Sequence, residues 1–296
     1  MQRRPNANGF LTRDTNMRTI DDAAIRKHAL VRFRSEYDYA VFEYWRSAKV
    51  LAYLESAGLR RFDRVLDDGC GGGGMCVSFA EEARSVVGIE PGDRFREVGS
   101  RLAAEKHVKN VSFAEADGTA LPFKSGSFDL VLSHSVIEHV ADPLAYLKEA
   151  RRVLTAGGAM LLNTAPYLST SGSHLPKYKL PLPLHLVACR RAAFAAACWV
   201  GKHKPHWFDT DSQASSYVTA GQRGEDKTDD LLYHATLLNL RGHIRAAGLR
   251  PRREDLAVSR LLTRTLPPLA RLTPAIPVLR DIFVTNMQYV LVRDDK

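Results

Sequence analysis

The sequence predicts an α/β fold: a doubly wound, mostly parallel seven-stranded sheet with helices on both faces and an insertion after the fifth strand. Three observations predict it. Short β-rich runs alternate with helical stretches between residues 64 and 164, the pattern of a parallel sheet built from crossover units. The first run leads directly into a glycine-rich turn. The second ends in a carboxylate, Glu90.

The elements follow in order. Tyr37, Val41, Tyr44, Ala48, Leu51 and Leu54 recur at helical spacing, and Gly58 stands where a C-terminal stop belongs, so residues 37–57 read as a helix ahead of the sheet. Strands are expected at 64–67, 85–90, 111–115, 128–133 and 159–164. The helix between the last two takes Asp142 and Pro143 as cap and first turn, and Gly157 and Gly158 as its exit. After Pro166 the alternation stops for some 60 residues rich in Pro, His and aromatics, too long for a plain loop. Residues 166–230 are therefore expected to form an insertion or lid. The pattern returns with a helix at 237–247 closed by Gly248, and with a last strand at 284–292, antiparallel to one near 252–258. The Pro-rich stretch 266–277 is expected to pack across the surface. Residues 1–36 read as a flexible or partly helical N-terminus, and 37–296 as one domain.

Composition excludes some classes. Of 296 residues, 45% are hydrophobic and 25% charged, and no apolar run is long enough to span a bilayer. The polar start lacks the apolar core of a secretory signal, so a cytoplasmic protein is expected. Cys70, Cys76, Cys189 and Cys198 form no CxxC pair, and free thiols are expected. The balance of 42 Lys and Arg against 33 Asp and Glu gives +9. These charges are scattered without an aromatic-interleaved basic stripe, which argues against a nucleic-acid partner. Residues 180–200 are apolar but broken by Arg190 and Arg191: a buried helix is expected there, with peripheral membrane contact the other option. His203 and His206 near Asp209 and Asp211 have no recognised zinc spacing, and no metal site is expected.

Chemistry concentrates where strands meet turns. In Val65-Leu66-Asp67-Asp68-Gly69-Cys70-Gly71-Gly72-Gly73-Gly74, glycines let a ligand approach the backbone closely. Glu90 follows 17 residues after Gly73, where an acid can accept hydrogen bonds from both hydroxyls of a ribose. Asp117, after the third strand, can accept from an adenine amino group. The fourth strand ends at Ser133 and His134 on the same carboxyl edge, where open α/β sheets bind ligands.

With Asp67, Gly69, Gly71, Gly73, Glu90, the Asp117 to Leu121-Pro122-Phe123 element and the Phe128-Asp129 strand in order, the chain resembles the class I methyltransferases that use S-adenosylmethionine, most closely their small-molecule branch. The resemblance is strong over 64–164. It implies a Rossmann-like sheet and S-adenosyl-L-methionine as cofactor. The glycines would lie beside its methionine part with Asp67 helping to hold it, Glu90 would meet ribose, Asp117 with Gly118 adenine, and Ser133 would lie near the sulfonium. Asp68 departs from the pattern, which more often has an apolar residue there, and would bring a second charge to the cofactor edge. Tyr167, Gly172 to Pro176, Tyr178 and Leu182 to Leu186 are similar to the segment after the fifth strand in bacterial methyltransferases of surface polysaccharide and glycoconjugate assembly. That likeness implies O-methylation of a small-molecule or glycan hydroxyl, with a quinone, lipid or polyketide as rival acceptor and a non-catalytic cofactor-binding scaffold as the rival role. Removing a hydroxyl proton suits a histidine: of His134, His139, His174 and His185, the catalytic candidates are His134, at the cofactor edge, and His174, in the insertion.

Overall fold

The computed structural model describes residues 19–92, 96–179, 184–208, 219 and 223–295. Helices α1 (Asp22–Ala29) and α2 (Glu36–Ser56) precede β1 (Arg64–Asp68). Next come α3 (Gly74–Ala80), β2 (Ser85–Glu90), α4 (Arg96–Glu105), β3 (Val111–Glu115), β4 (Phe128–His134), α5 (Pro143–Val153) and β5 (Leu154–Thr164). The insertion carries α6 (Leu184–Val187) and α7 (Arg190–His203). The chain continues through α8 (Leu237–Ala246), β6 (Leu249–Val258), three short helices, α9 (Arg260–Thr265), α10 (Pro267–Leu272) and α11 (Pro277–Phe283), and β7 (Val284–Arg293).

The seven strands form one sheet in the order β3-β2-β1-β4-β5-β7-β6. β1 to β5 pair in parallel, and β7 runs antiparallel to both its neighbours, so the expected fold and the antiparallel last pair are observed. β5 starts earlier than periodicity suggests. Gly157 and Gly158 lie inside it and not at a helix exit, and a register shift between Phe128 and Leu130 accommodates the extra length. The Pro-rich stretch 266–277 is helical in part, because Pro267 and Pro277 sit at helix N-termini, where a missing N–H leaves no bond unmade.

Alternation along the strands divides the core in two. Leu66, Val131, Met160 and Leu162 point to the face covered by α5 and α8, where they meet Tyr146, Leu147, Leu240 and Tyr289. Val65, Leu130, Leu132 and Leu161 point to the opposite face and pack on Leu51 and Leu54 of α2 and Met75 and Phe79 of α3.

Within the insertion, α7 buries Ala193, Phe194, Ala197 and Val200 but leaves Trp199 half exposed, so the apolar stretch is a half-buried helix; residues 180–183 lie outside the described ones. Arg190 at its start ties separate segments together, donating to the carbonyls of Ser173 and Thr228 and pairing with Asp230. Among the described residues, no helix is long and apolar enough to cross a membrane.

Candidate functional site

The same alternation determines where each polar residue at the carboxyl edge points. Asp68 follows Leu66 onto the α5 face, and Asp67 follows Val65 onto the α2 face. On β4, Ser133 falls on the α5 side and His134 on the α2 side. The edge therefore carries two compartments.

On the α5 side is a cavity of about 480 Å³ lined by Asp68, Gly69, Glu90, Asp117, Gly118 and Thr119, with Ser135, His139 and Tyr146 among its other walls. Gly69 bends the chain here with φ 83°. A Cβ on it would stand 2.3 Å from Val136, so no larger residue fits the turn. Glu90 Oε1 accepts the Gly71 amide at 2.6 Å, tying the turn to the end of β2. Asp117 Oδ1 accepts from the Thr119 amide and hydroxyl, both at 2.8 Å. Ser133 does not line the cavity with its hydroxyl, which is buried and accepts from Tyr146 at 2.7 Å. Burial, reinforced by the neighbouring Asp67 charge, pushes the Asp68 carboxyl up to about 8. The carboxyl expected to add a second charge at this edge therefore holds its proton more tightly than an ordinary aspartate.

The α2 side is more buried: Asp67 and Glu43 are buried, and Arg46 and His134 partly so. Burial pushes Asp67 up to about 7, and its Oδ2 receives the Cys76 thiol at 3.2 Å. Arg46 donates to Glu43 and, through Nη1, to His134 Nε2, both at 2.6 Å. Burial and the adjacent guanidinium drive His134 well below the ordinary imidazole range. The ring is thus neutral, with its Nε2 lone pair taken by Arg46. Glu43 Oε1, Arg46 Nε and His134 Nδ1 are buried with no hydrogen-bond partner among the described residues, a cost that a bound polar ligand would relieve. Glu43 and Arg46 are absent from the sequence motif. Their signal is an i, i+3 charged pair on the apolar side of α2, where charges are rarely buried unless used.

The two expected catalytic histidines have different partners. His174 Nε2 lies 3.3 Å from Glu138 Oε1, and its ring centroid is 5.2 Å from that of His139. Glu138 is buried and also accepts from Thr164. His139 Nδ1 meets the Asp230 carbonyl at 2.7 Å, and His185 Nε2 the Tyr167 carbonyl at 2.9 Å. Gly73 serves packing as the N-cap of α3, with Phe113 2.5 Å from where a Cβ would stand. His203 bonds to the Trp199 carbonyl, and Asp209 and Asp211 lie outside the described residues. All four cysteines are free.

Two features fit S-adenosylmethionine. A Cβ on Gly71 would meet nothing within 4 Å, so open space lies over the turn. Asp68 lines the cavity with a buried Oδ2 that has no hydrogen-bond partner among the described residues.

Comparison with known proteins agrees. A family model described as "Methyltransferase domain" matches residues 66–162. The uncharacterized methyltransferase YcgJ of Bacillus subtilis is 34% identical over 206 residues, covering 65% of this chain and 81% of that protein. A ubiquinone biosynthesis O-methyltransferase of Dinoroseobacter shibae is 41% identical over 101 residues, which is 34% of this chain and 40% of that one. Among solved structures, the [4+2]-cyclase SpnF superposes with a TM-score of 0.51 at 16% identity, covering 84% of this chain and 82% of that one. The complex of the Haloferax volcanii Trm112 methyltransferase activator with a methyltransferase gives 0.51 at 17% identity, covering 93% and 99%. Identities this low show the fold alone, and the cyclase illustrates how one fold hosts different chemistry. With its glycine turn and acid-lined cavity, and with a Bacillus relative matched over most of its length, this chain belongs to the class I S-adenosylmethionine-dependent methyltransferases.

Proposed function

We propose that the protein methylates a hydroxyl of a small molecule or glycan. The observation that carries this reading is the cavity itself, which brings Gly69, Glu90, Asp117 and Gly118 from three strand ends to one space and continues to His139. When bound, S-adenosylmethionine supplies an electrophilic methyl carbon on its sulfonium. Glu90 accepts the ribose hydroxyls. Asp117, one oxygen already taken by Thr119, offers the other to the adenine amino group beside Gly118. Gly71 keeps the turn clear for the methionine part beside Gly69 and Gly73, and the Ser133 backbone passes near the sulfonium. Arg46 and Glu43, through their unpartnered buried atoms, receive the methionine carboxylate and amino group under α2, with Asp67 completing that compartment. His134 positions Arg46. In-line displacement asks mainly for alignment of nucleophile and methyl carbon, and the described part of the insertion brings His174 to the acceptor end beside Glu138 and His139. His174, steered by the buried Glu138, takes the hydroxyl proton.

The glycan reading rests on the insertion's likeness to the segment in methyltransferases of glycoconjugate assembly. A phenolic quinone precursor is the second acceptor class, favoured by the name of the Dinoroseobacter relative. Calorimetric titration with S-adenosylmethionine and S-adenosylhomocysteine tests the foundation, and binding of neither returns the protein to a scaffold role. A screen with labelled methyl donor against nucleotide sugars and catechols then separates the acceptor classes.

A further inference from the structure

We propose that Glu138, His139 and His174 form a binding site for a divalent cation of the zinc, iron or manganese class, at the acceptor end of the cavity. One ligand atom from each lies within 4.8 Å of the other two. Bonds of about 2.1 Å to a cation place neighbouring ligand atoms about 3 to 3.4 Å apart, and Glu138 Oε1 and His174 Nε2 already stand at 3.3 Å. The exposed His139 supplies the third ligand atom within the same 4.8 Å. Two imidazoles and one carboxylate suit borderline divalent ions better than calcium or magnesium.

The surroundings are those of a built site. His139 Nδ1 meets the Asp230 carbonyl, which fixes the proton on that nitrogen and turns the Nε2 lone pair outward, the outer bond typical of a ligating histidine. Thr164 holds the second carboxylate oxygen of Glu138 at 3.0 Å, while the Glu138 carbonyl accepts the amides of Leu232 and Tyr233. Arg190 fastens the segment of His174, through Ser173, to that of Asp230. His174 is held at φ 57°, a conformation uncommon outside glycine that persists where the surroundings impose it.

Three protein ligands leave positions open. His139 lines the cavity, so an acceptor hydroxyl can occupy one of them, become more acidic there and release its proton to water. That consequence rests on the O-methylation reading, whereas cation binding does not. With the cation in place, His174 acts as a ligand; without it, as a plain base.

The test is titration of the chelator-treated full chain with Co²⁺, followed by its visible absorption, with S-adenosylhomocysteine calorimetry on the same samples. One saturating equivalent is expected, displaced by Zn²⁺, with affinity about tenfold or more weaker in His139→Ala and in His174→Ala. Because His139 is exposed, that variant should fold, and retained S-adenosylhomocysteine binding verifies it. No saturable band, or a band unchanged in both variants, overturns the site. Loss of S-adenosylhomocysteine binding in the parent protein with the cobalt band intact would instead remove the methylation reading and leave the site standing.

Discussion

β1 ends in two adjacent aspartates whose surroundings could hardly differ more. Asp67 enters a packed, largely buried compartment with Cys76, Glu43, Arg46 and His134, while Asp68 faces an open cavity shared with Glu90, Asp117 and His139. One residue of strand alternation separates them. The α2 side joins α2 and α3 to the ends of β1 and β4. The open side adds Glu138, Thr164 and the insertion. The comparison teaches that the two faces of the sheet divide the polar groups of the carboxyl edge, and on the proposed reading the cofactor is held from both faces while the acceptor is handled from one.

Substitutions can break that division. The largest effect is expected on the open side: His174→Ala should lower turnover about 100- to 1,000-fold while S-adenosylhomocysteine affinity stays within about twofold. A parallel loss of cofactor affinity in calorimetry would show that the two functions share one compartment. Glu90→Ala should weaken cofactor binding about 100-fold, since a carboxylate bonded to hydroxyls contributes about 1.5–3 kcal/mol per bond; unchanged affinity would take Glu90 out of the site. On the α2 side, Arg46→Met should weaken cofactor binding about tenfold or more and raise the His134 pKa, because the adjacent positive charge is gone. Histidine NMR titration reads the second effect, and a ring that does not move would contradict the pairing.

The smallest effect concerns stability. Asp67, at about 7, and Asp68, at about 8, both lie above the ordinary 3.8, so the folded chain binds their protons more tightly than the unfolded one. Their stabilising contribution is complete below about pH 4 and is lost as pH rises through 7 and 8. Asp68→Asn removes one ionisation and should flatten the decline, gaining about 1–2 kcal/mol over the parent at pH 9. Denaturant midpoints across pH 5 to 9 check this, and an equal slope in both proteins would show Asp68 ionised throughout.

Legibility in the sequence divides along the same boundary. Strands 64–68, 85–90 and 111–115, the turn at Gly69 and the acid at Glu90 are local patterns in which neighbours in sequence determine the geometry. Period-two alternation from Val65 also assigns Asp67 and Asp68 to opposite faces, and from Leu132 it sends His134 toward α2, away from Ser133; a motif read as a string does not reveal this. Arg46 lies before the sheet, and its relation to His134 needs the packing of α2. The grouping of Glu138, His139 and His174 needs the path of the insertion, which Arg190 holds through backbone carbonyls. No spacing rule contains that path, so the sequence read as a string does not bring these three residues together.

The strand order has a consequence for how the enzyme is made. β7 is the last strand in sequence yet lies between β5 and β6, so residues 249–258 have no partner on the sheet until residues 284–293 have been synthesised. During translation β5 presents an unpaired edge, the kind of surface that invites pairing with another chain. Thr164, at the end of that strand, holds Glu138. A nascent chain can thus shape its glycine turn early while the acceptor side waits for the final strand, and methyl transfer would begin only after β7 has been inserted.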